Sequence, residues 1–239
     1  MMIGGKYRRS LDSYLFSDSG VGRRIPLTRF ISTLSAHLPE TVVFGGMIRE
    51  FALGKSRSFR SDVDVVTAHE DEEIITLISE FSPQKNKFGG YRFSVDGWLF
   101  DIWSLESTWA IKKGLVPSTG FDALLSTTFF DLDSAVFHLS ERVLYCSSMH
   151  QEVLEKRTLG INLRENPNPE SMACRAVNLA LENDFALTRE LAEFVVDNYR
   201  SHGEQGIVRS YLLALEEMLR GDAGIKSLKP RLQSRLWSD

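Results

Sequence analysis

The sequence predicts an α+β fold, a small mixed β-sheet with packed helices followed by a mainly α-helical region, and three observations predict it. The β-branched and aromatic run Thr41–Phe44 breaks at Gly45-Gly46 and passes into a helical stretch, Met47–Leu53, which Gly54 is placed to end. Two further strand-like segments follow, S-D-V-D-V-V at 61–66 and Y-R-F-S-V-D-G-W-L-F-D-I-W at 91–103. Towards the C-terminus the apolar residues recur at helical spacing instead, as Leu191, Phe194, Val195 and Tyr199, then as Val208, Leu212, Leu215 and Leu219.

Taken in order, residues 1–24 are polar, with arginine pairs at Arg8-Arg9 and Arg23-Arg24, and carry only weak helical signals. Pro26 can open a helix, Leu27, Phe30, Ile31, Leu34 and Leu38 line one of its faces, and Pro39 stops it. In the strand at 61–66, side chains alternate, so Asp62 and Asp64 leave one face while Val63 and Val65 enter the core. Two carboxylates side by side on a buried strand are costly unless a cation lies between them, and a divalent metal is the economical choice. H-E-D-E-E at 69–73 leads into a helix with Ile74, Leu77, Ile78 and Phe81 on one face, its acids suiting the positive end of the helix rather than a metal. Asp96-Gly97 is a favoured two-residue hairpin turn. Asp101 interrupts the otherwise apolar strand after it, which makes it the best candidate for a third ligand; Asp96 and Glu106 are weaker ones.

Gly45 and Gly46, at a strand-to-helix junction, let the backbone approach an anion and aim N–H groups at it. Lys55, Arg57 and Arg60 form an acid-free loop next to Asp62, either solvated or reaching a polyphosphate. Arg49 either faces phosphate or pairs with Glu50 or another carboxylate. Asp131 and Asp133 repeat the two-residue spacing but lack a glycine motif, so turn or strand-edge roles suit them.

Composition bounds the rest. The 239 residues suit one large domain or two small ones, and a boundary near the loop after Ala110 divides them into 1–112 and 113–239. A net charge of −4 does not advertise broad nucleic-acid binding. No apolar run is long enough for a bilayer, and the start lacks the apolar core of a signal peptide, so a cytoplasmic protein without a membrane is expected. Cys146 and Cys174 lack metal-ligand spacing and read as free thiols, and the five histidines are scattered. The basic end from Ile225 onward is a tail or an RNA contact.

The segments G-G-M-I-R-E, A-L-G and D-V-D-V-V-T resemble the head domain of class II CCA-adding enzymes and bacterial poly(A) polymerases, whose signature runs G-G-x-V-R-D, L-G, D-x-D-x-V-T; Glu50 stands at the family's aspartate. More broadly, G-G followed by D-x-D is similar to the polymerase-β-like nucleotidyltransferase superfamily, which includes enzymes modifying antibiotics and proteins. The resemblance implies a palm-like catalytic domain followed by a neck-like helical one. It thins further on. Phe130 matches a later block, but Thr127, Thr128 and Phe129 stand where that block has Arg-Arg-Asp, and Asp133 stands at its asparagine. Asn168-Pro169 and Arg175-Ala176 match the entry to the neck helices, Asn178 replaces an arginine there, and the base-reading E-D-x-x-R is not visible.

The expectation is therefore transfer of a nucleoside monophosphate from an NTP, ATP or CTP, to an acceptor hydroxyl with release of pyrophosphate. Asp62, Asp64 and Asp101 would be catalytic and hold two Mg²⁺ ions, whose preference for hard oxygen ligands they suit. Gly45, Gly46, Arg49, Lys55, Arg57, Arg60 and Arg175 would serve the nucleotide and its phosphates. The resemblance favours an RNA 3′ end as acceptor, as in tRNA processing; a small hydroxylated molecule, a protein hydroxyl or a second nucleotide stay open. The alternative is a non-catalytic or regulatory module binding nucleotide or a protein partner, such as a toxin–antitoxin component. A lysine or arginine neutralising the three acids would remove the case for catalysis.

Overall fold

Thr41–Phe44 (β1) is β-branched and aromatic, and it pairs antiparallel with Val63–Thr67 (β2), Phe44 opposite Asp64, in a computed structural model that describes residues 5–17, 22–200, 206–221 and 224–230. Ahead of them come α1 (Gly5–Phe16) and α2 (Ile25–His37); α3 (Gly46–Ala52) lies between the two strands. Then follow α4 (Asp71–Ile78), β3 (Gln84–Lys85), β4 (Tyr91–Val95), β5 (Trp98–Ser104), α5 (Trp109–Lys112), β6 (Ala135–His138) and β7 (Val143–Cys146). The strands form one seven-stranded sheet in the order β3-β4-β5-β2-β1-β6-β7. Only β2 and β5 are parallel neighbours, in a register that sets Asp64 against Asp101.

The period-2 pattern decides what each face of this sheet does. Val63, Val65, Trp98, Phe100 and Ile102 point into a core shared with Leu11 and Leu15 of α1, Leu27, Phe30, Ile31 and Leu34 of α2, Met47 and Phe51 of α3, and Ile74 and Ile78 of α4. Phe30 stands edge-on to Phe93, Phe100 and Phe81 at centroid separations of 5.4, 4.8 and 5.4 Å, the geometry in which an aromatic pair adds about 1 kcal/mol beyond burial. The opposite face carries Asp64 and Asp101.

The local expectations largely recur. Pro26 sits in the first turn of α2 and the five predicted apolar residues of that helix are buried. Asp96 and Gly97 take φ of 45° and 85°, the two left-handed residues that a twist-matched two-residue hairpin requires. Two features of the first unit depart from expectation. Residues 5–16 are helical despite their polarity, because Leu11 and Leu15, one turn apart, are fully buried and Tyr14 packs edge-on to Phe51 at 5.0 Å; packing, not propensity, makes α1. Strands β6 and β7, not anticipated, extend the sheet beyond residue 112.

The chain forms two compact units, 1–128 with 133–151, and 129–132 with 152–239. The sequence-based boundary near 112 lies inside the first. The described part of the second unit holds β8 (Thr158–Leu159), α7 (Pro169–Asn183), β9 (Ala186–Thr188), α8 (Arg189–Asn198), α9 (Ile207–Arg220) and β10 (Ser227–Leu228), after α6 (Ser148–Lys156) at the change of unit. It is mainly helical as expected, with a small unpredicted sheet in the order β10-β9-β8. Asn168-Pro169 has a structural role: the Asn168 side chain accepts from the Ser171 N–H at 3.0 Å and Pro169 occupies the first turn of α7. Of the predicted α9 stripe only Leu215 is fully buried, with Tyr211 beside it, because the buried face is rotated from the one expected. Ser227–Leu228 is a strand rather than tail, and 231–239 fall outside the described residues. No described helix is long and apolar enough to cross a membrane.

Candidate active site

Asp62, Asp64 and Asp101 each place a carboxylate oxygen within 4.8 Å of the others. Parallel pairing of β2 and β5 brings Asp64 and Asp101 abreast, and Asp62, just before β2 begins, adds its side chain on the same face. Asp101 is buried, the other two half-buried. The Ser61 hydroxyl donates to Asp62 at 2.6 Å.

Gly45 closes one side. Its φ of +70° lies in the left-handed region, and a Cβ there would stand 2.7 Å from Asp64 Oδ2. Backbone conformation and the proximity of the carboxylate both exclude a side chain at this position. Gly46 begins α3, and the Arg49 guanidinium packs 3.4 Å from the position its Cβ would take.

The decisive unpredicted residue is Arg92. Its Nη2 reaches Asp62 Oδ2 at 3.0 Å and bonds Asp101 at very short range, while its Nε donates to both Asp101 oxygens at 3.1 and 3.2 Å. The hydrogen bonds and charge of Asp101, with smaller contributions from Asp62 and Asp64, raise the Arg92 pKa further above its ordinary value. A cation does stand among the acids, as charge repulsion demands, but it is a guanidinium. Arg92 brings one positive charge to the three carboxylates, and the Arg49 guanidinium also acts on Asp64. Its side chain is 55% exposed, so solvent partly screens these ion pairs. The sequence held the signal: a two-residue turn at Asp96-Gly97 pairs 95 with 98 and hence Arg92 with Asp101.

The carboxylates themselves fit a divalent cation. Three hard oxygen donors of net negative charge converge on a partly open face, the donor set that Mg²⁺ or Mn²⁺ takes, with the remaining positions left for water or phosphate.

The other sequence candidates separate. Arg49 is buried and paired with Asp133 at 2.7 Å, with Glu50 at 3.7 Å; the charge of Asp133 outweighs burial and raises the Arg49 pKa. Asp133 thus serves as the partner of a motif arginine, whereas Asp131 belongs to the second unit and accepts from the Leu132 N–H at 2.8 Å. Lys55 is half-buried at the start of a short 3₁₀ turn. Arg57 and Arg60 line a different cavity, and Arg175 is exposed on α7 in the second unit. Among the weaker acids, Glu106 accepts from Ser118 and Asp96 stays in its turn.

No protein-family model matches the chain, and no curated protein sequence does. Solved structures do match. The Thermotoga maritima CCA-adding enzyme complexed with tRNA is similar at a TM-score of 0.56 and 16% identity, covering 78% of this chain and 44% of that one. A CCA-adding enzyme with CTP matches at 0.54 and 15%, covering 72% and 42%. A tRNA nucleotidyltransferase with a primer tRNA and an incoming ATP analogue matches at 0.51 and 15%, covering 70% and 49%. This chain therefore spans less than half the length of each of these proteins and shares their fold over most of its own length.

Proposed function

We propose that this chain is a cation-dependent nucleotidyltransferase, moving a nucleoside monophosphate from an NTP to a hydroxyl. The observation that carries the proposal is the convergence of Asp62, Asp64 and Asp101 from adjacent parallel segments, beside a glycine whose Cβ would collide with Asp64. Asp62, Asp64 and Asp101 would hold the ions, two Mg²⁺ in the fullest form. Bound there, Mg²⁺ supplies charge stabilisation at phosphate and a lowered pKa for the attacking hydroxyl. The residues of the chain supply the rest. Gly45 and Gly46 leave the backbone open to the phosphates, and Arg92 holds the carboxylates together until a stronger counter-charge displaces it. Arg49 acts from behind, fixing α3 through Asp133. ATP or CTP as donor and an RNA 3′ end as acceptor are the pairing favoured by the tRNA and nucleotide complexes among the similar structures.

The test is transfer of label from α-labelled ATP and CTP, with Mg²⁺, to tRNA, to total protein and to a panel of small alcohols. Label should appear on one class of acceptor and vanish in Asp62→Asn/Asp64→Asn. Absence of label on every class would end the proposal.

Arg92 favours a second reading, a nucleotide- or partner-binding module in which the guanidinium is a permanent replacement for the metal. Under it the wild type takes up no Mn²⁺ at millimolar concentration and Arg92→Ala does; under the first reading both bind.

A further inference from the structure

On the face of the sheet opposite the carboxylates, where β2 and β5 begin, lies a cavity of about 460 Å³ walled by four arginines and two aromatic rings. Arg23 and Arg24 come from the turn before α2, and Arg57 and Arg60 from the loop between α3 and β2. Among the described residues no carboxylate lines it, and none of the four arginines forms an ion pair. In a chain of net charge −4, four guanidiniums around one cavity with no ion-pair partner among the described residues are a concentrated exception.

Three of the four arginines have contacts that hold them. Arg23 lies over the Trp98 ring at 5.7 Å, and the Trp98 indole N–H donates to the Arg23 carbonyl at 2.8 Å. Arg24 lies over the Tyr14 ring at 4.8 Å, and Arg60 donates to the Phe59 and Arg57 carbonyls at 2.7 and 3.2 Å. Burial raises the Tyr14 pKa while the charges of Arg24, Arg60 and Arg23 oppose it, so three positive fields meet on one hydroxyl. A cation–π contact holds a guanidinium over a ring and still leaves N–H groups that can donate to phosphate oxygens.

We propose that this cavity binds a compact polyanion of adjacent phosphates, the tail of a nucleoside polyphosphate or an inorganic polyphosphate, at a site separate from the candidate active site. The volume falls in the usual range of small-ligand sites, about 300–1,000 Å³, and four cations match a short run of phosphates better than a lone anion. Because Val63, Val65 and Phe100 separate the two faces, the occupant does not share the carboxylates. The site does not depend on whether the carboxylates catalyse anything.

The test is calorimetric titration of the full chain with inorganic tripolyphosphate and, separately, with ATP, both without divalent cation. Wild type and Asp62→Asn/Asp64→Asn should bind alike, and Arg23→Gln/Arg24→Gln should bind about 30-fold more weakly, two charge-assisted contacts having gone. Should that variant melt early, Arg57→Gln/Arg60→Gln, on a separate segment, must give the same loss. Equal affinity for the two probes supports a site for phosphates alone, and tighter ATP supports one that also seats the nucleoside. Affinity of the arginine variants within about twofold of wild type overturns the proposal. So does loss of binding confined to the aspartate variant. Binding of single-stranded RNA through these arginines, with neither probe bound, replaces it with an RNA-backbone site.

Discussion

At the scale of single residues, Arg92 separates what a cluster of acids requires from what supplies it. Three carboxylates within 4.8 Å need a cation, and a guanidinium on the neighbouring strand is available from the moment the hairpin forms. Removing it deepens the negative potential without touching a ligand. Arg92→Ala should therefore tighten Mn²⁺ binding about three- to tenfold, read by the loss of the free-ion paramagnetic signal; unchanged affinity would mean that Arg92 does not compete for the site. Gly45→Ala puts a methyl group into Asp64 in a left-handed conformation, so the fold should lose about 1–3 kcal/mol in urea melts. Arg49 and Asp133 form a buried pair, and Arg49→Met strands a carboxylate that is only 11% exposed. That variant should lose about 3–5 kcal/mol, and Arg49→Met/Asp133→Leu should recover much of it, because an apolar pair leaves no orphaned charge.

At the scale of elements, chain-local chemistry made some segments readable and left others dark. The hairpin was legible because Asp96-Gly97 fixes the turn, and with it the register that carries Arg92 to Asp101. Helix α4 was legible because its acids belong at its start: Glu70 and Glu73 form a reciprocal capping box there. The hydrogen bond with His69, 3.0 Å away, and then that from the Glu70 N–H hold the Glu73 carboxyl below its usual pKa. A depressed carboxylate stabilises above its unfolded pKa of about 4.5 and loses that contribution as the pH falls through its folded value. Amide exchange should accordingly show the Glu70 protection factor falling in that acidic window, and Glu73→Gln should make it insensitive to pH. Helix α1 and strands β6 and β7 were dark because nothing local marks them. Leu11 and Leu15 become a helical face only against α2 and α3, and Ala135–His138 is a strand because β1 offers it a ladder.

At the scale of the whole molecule, the sheet gives its two faces to different chemistry: acids on one, and arginines at the rim of the helix-packed other. A ligand that binds only the folded chain raises its stability by mass action. A divalent cation at one hundred times its dissociation constant should add about 2.7 kcal/mol, or some 5–10 °C in the melt of a chain this size, and EDTA should remove it. Asp62→Asn/Asp64→Asn should show no such shift. A cation-induced shift that survives in that variant would place the binding elsewhere.

The sequence by itself determined the strand–glycine–helix unit, the two-residue spacing that aims Asp62 and Asp64 to one side, and the third acid on an apolar strand. Each follows from alternation, turn chemistry or the penalty on a buried charge, which act over a few residues. Only the tertiary structure decided that Arg92 reaches Asp62 as well as its hairpin partner Asp101, which carboxylate holds Arg49, and that Arg23 and Arg24 share a cavity with Arg57 and Arg60. Those pairings join segments far apart in the chain, and what brings them together is burial of the common apolar core, which no local pattern encodes.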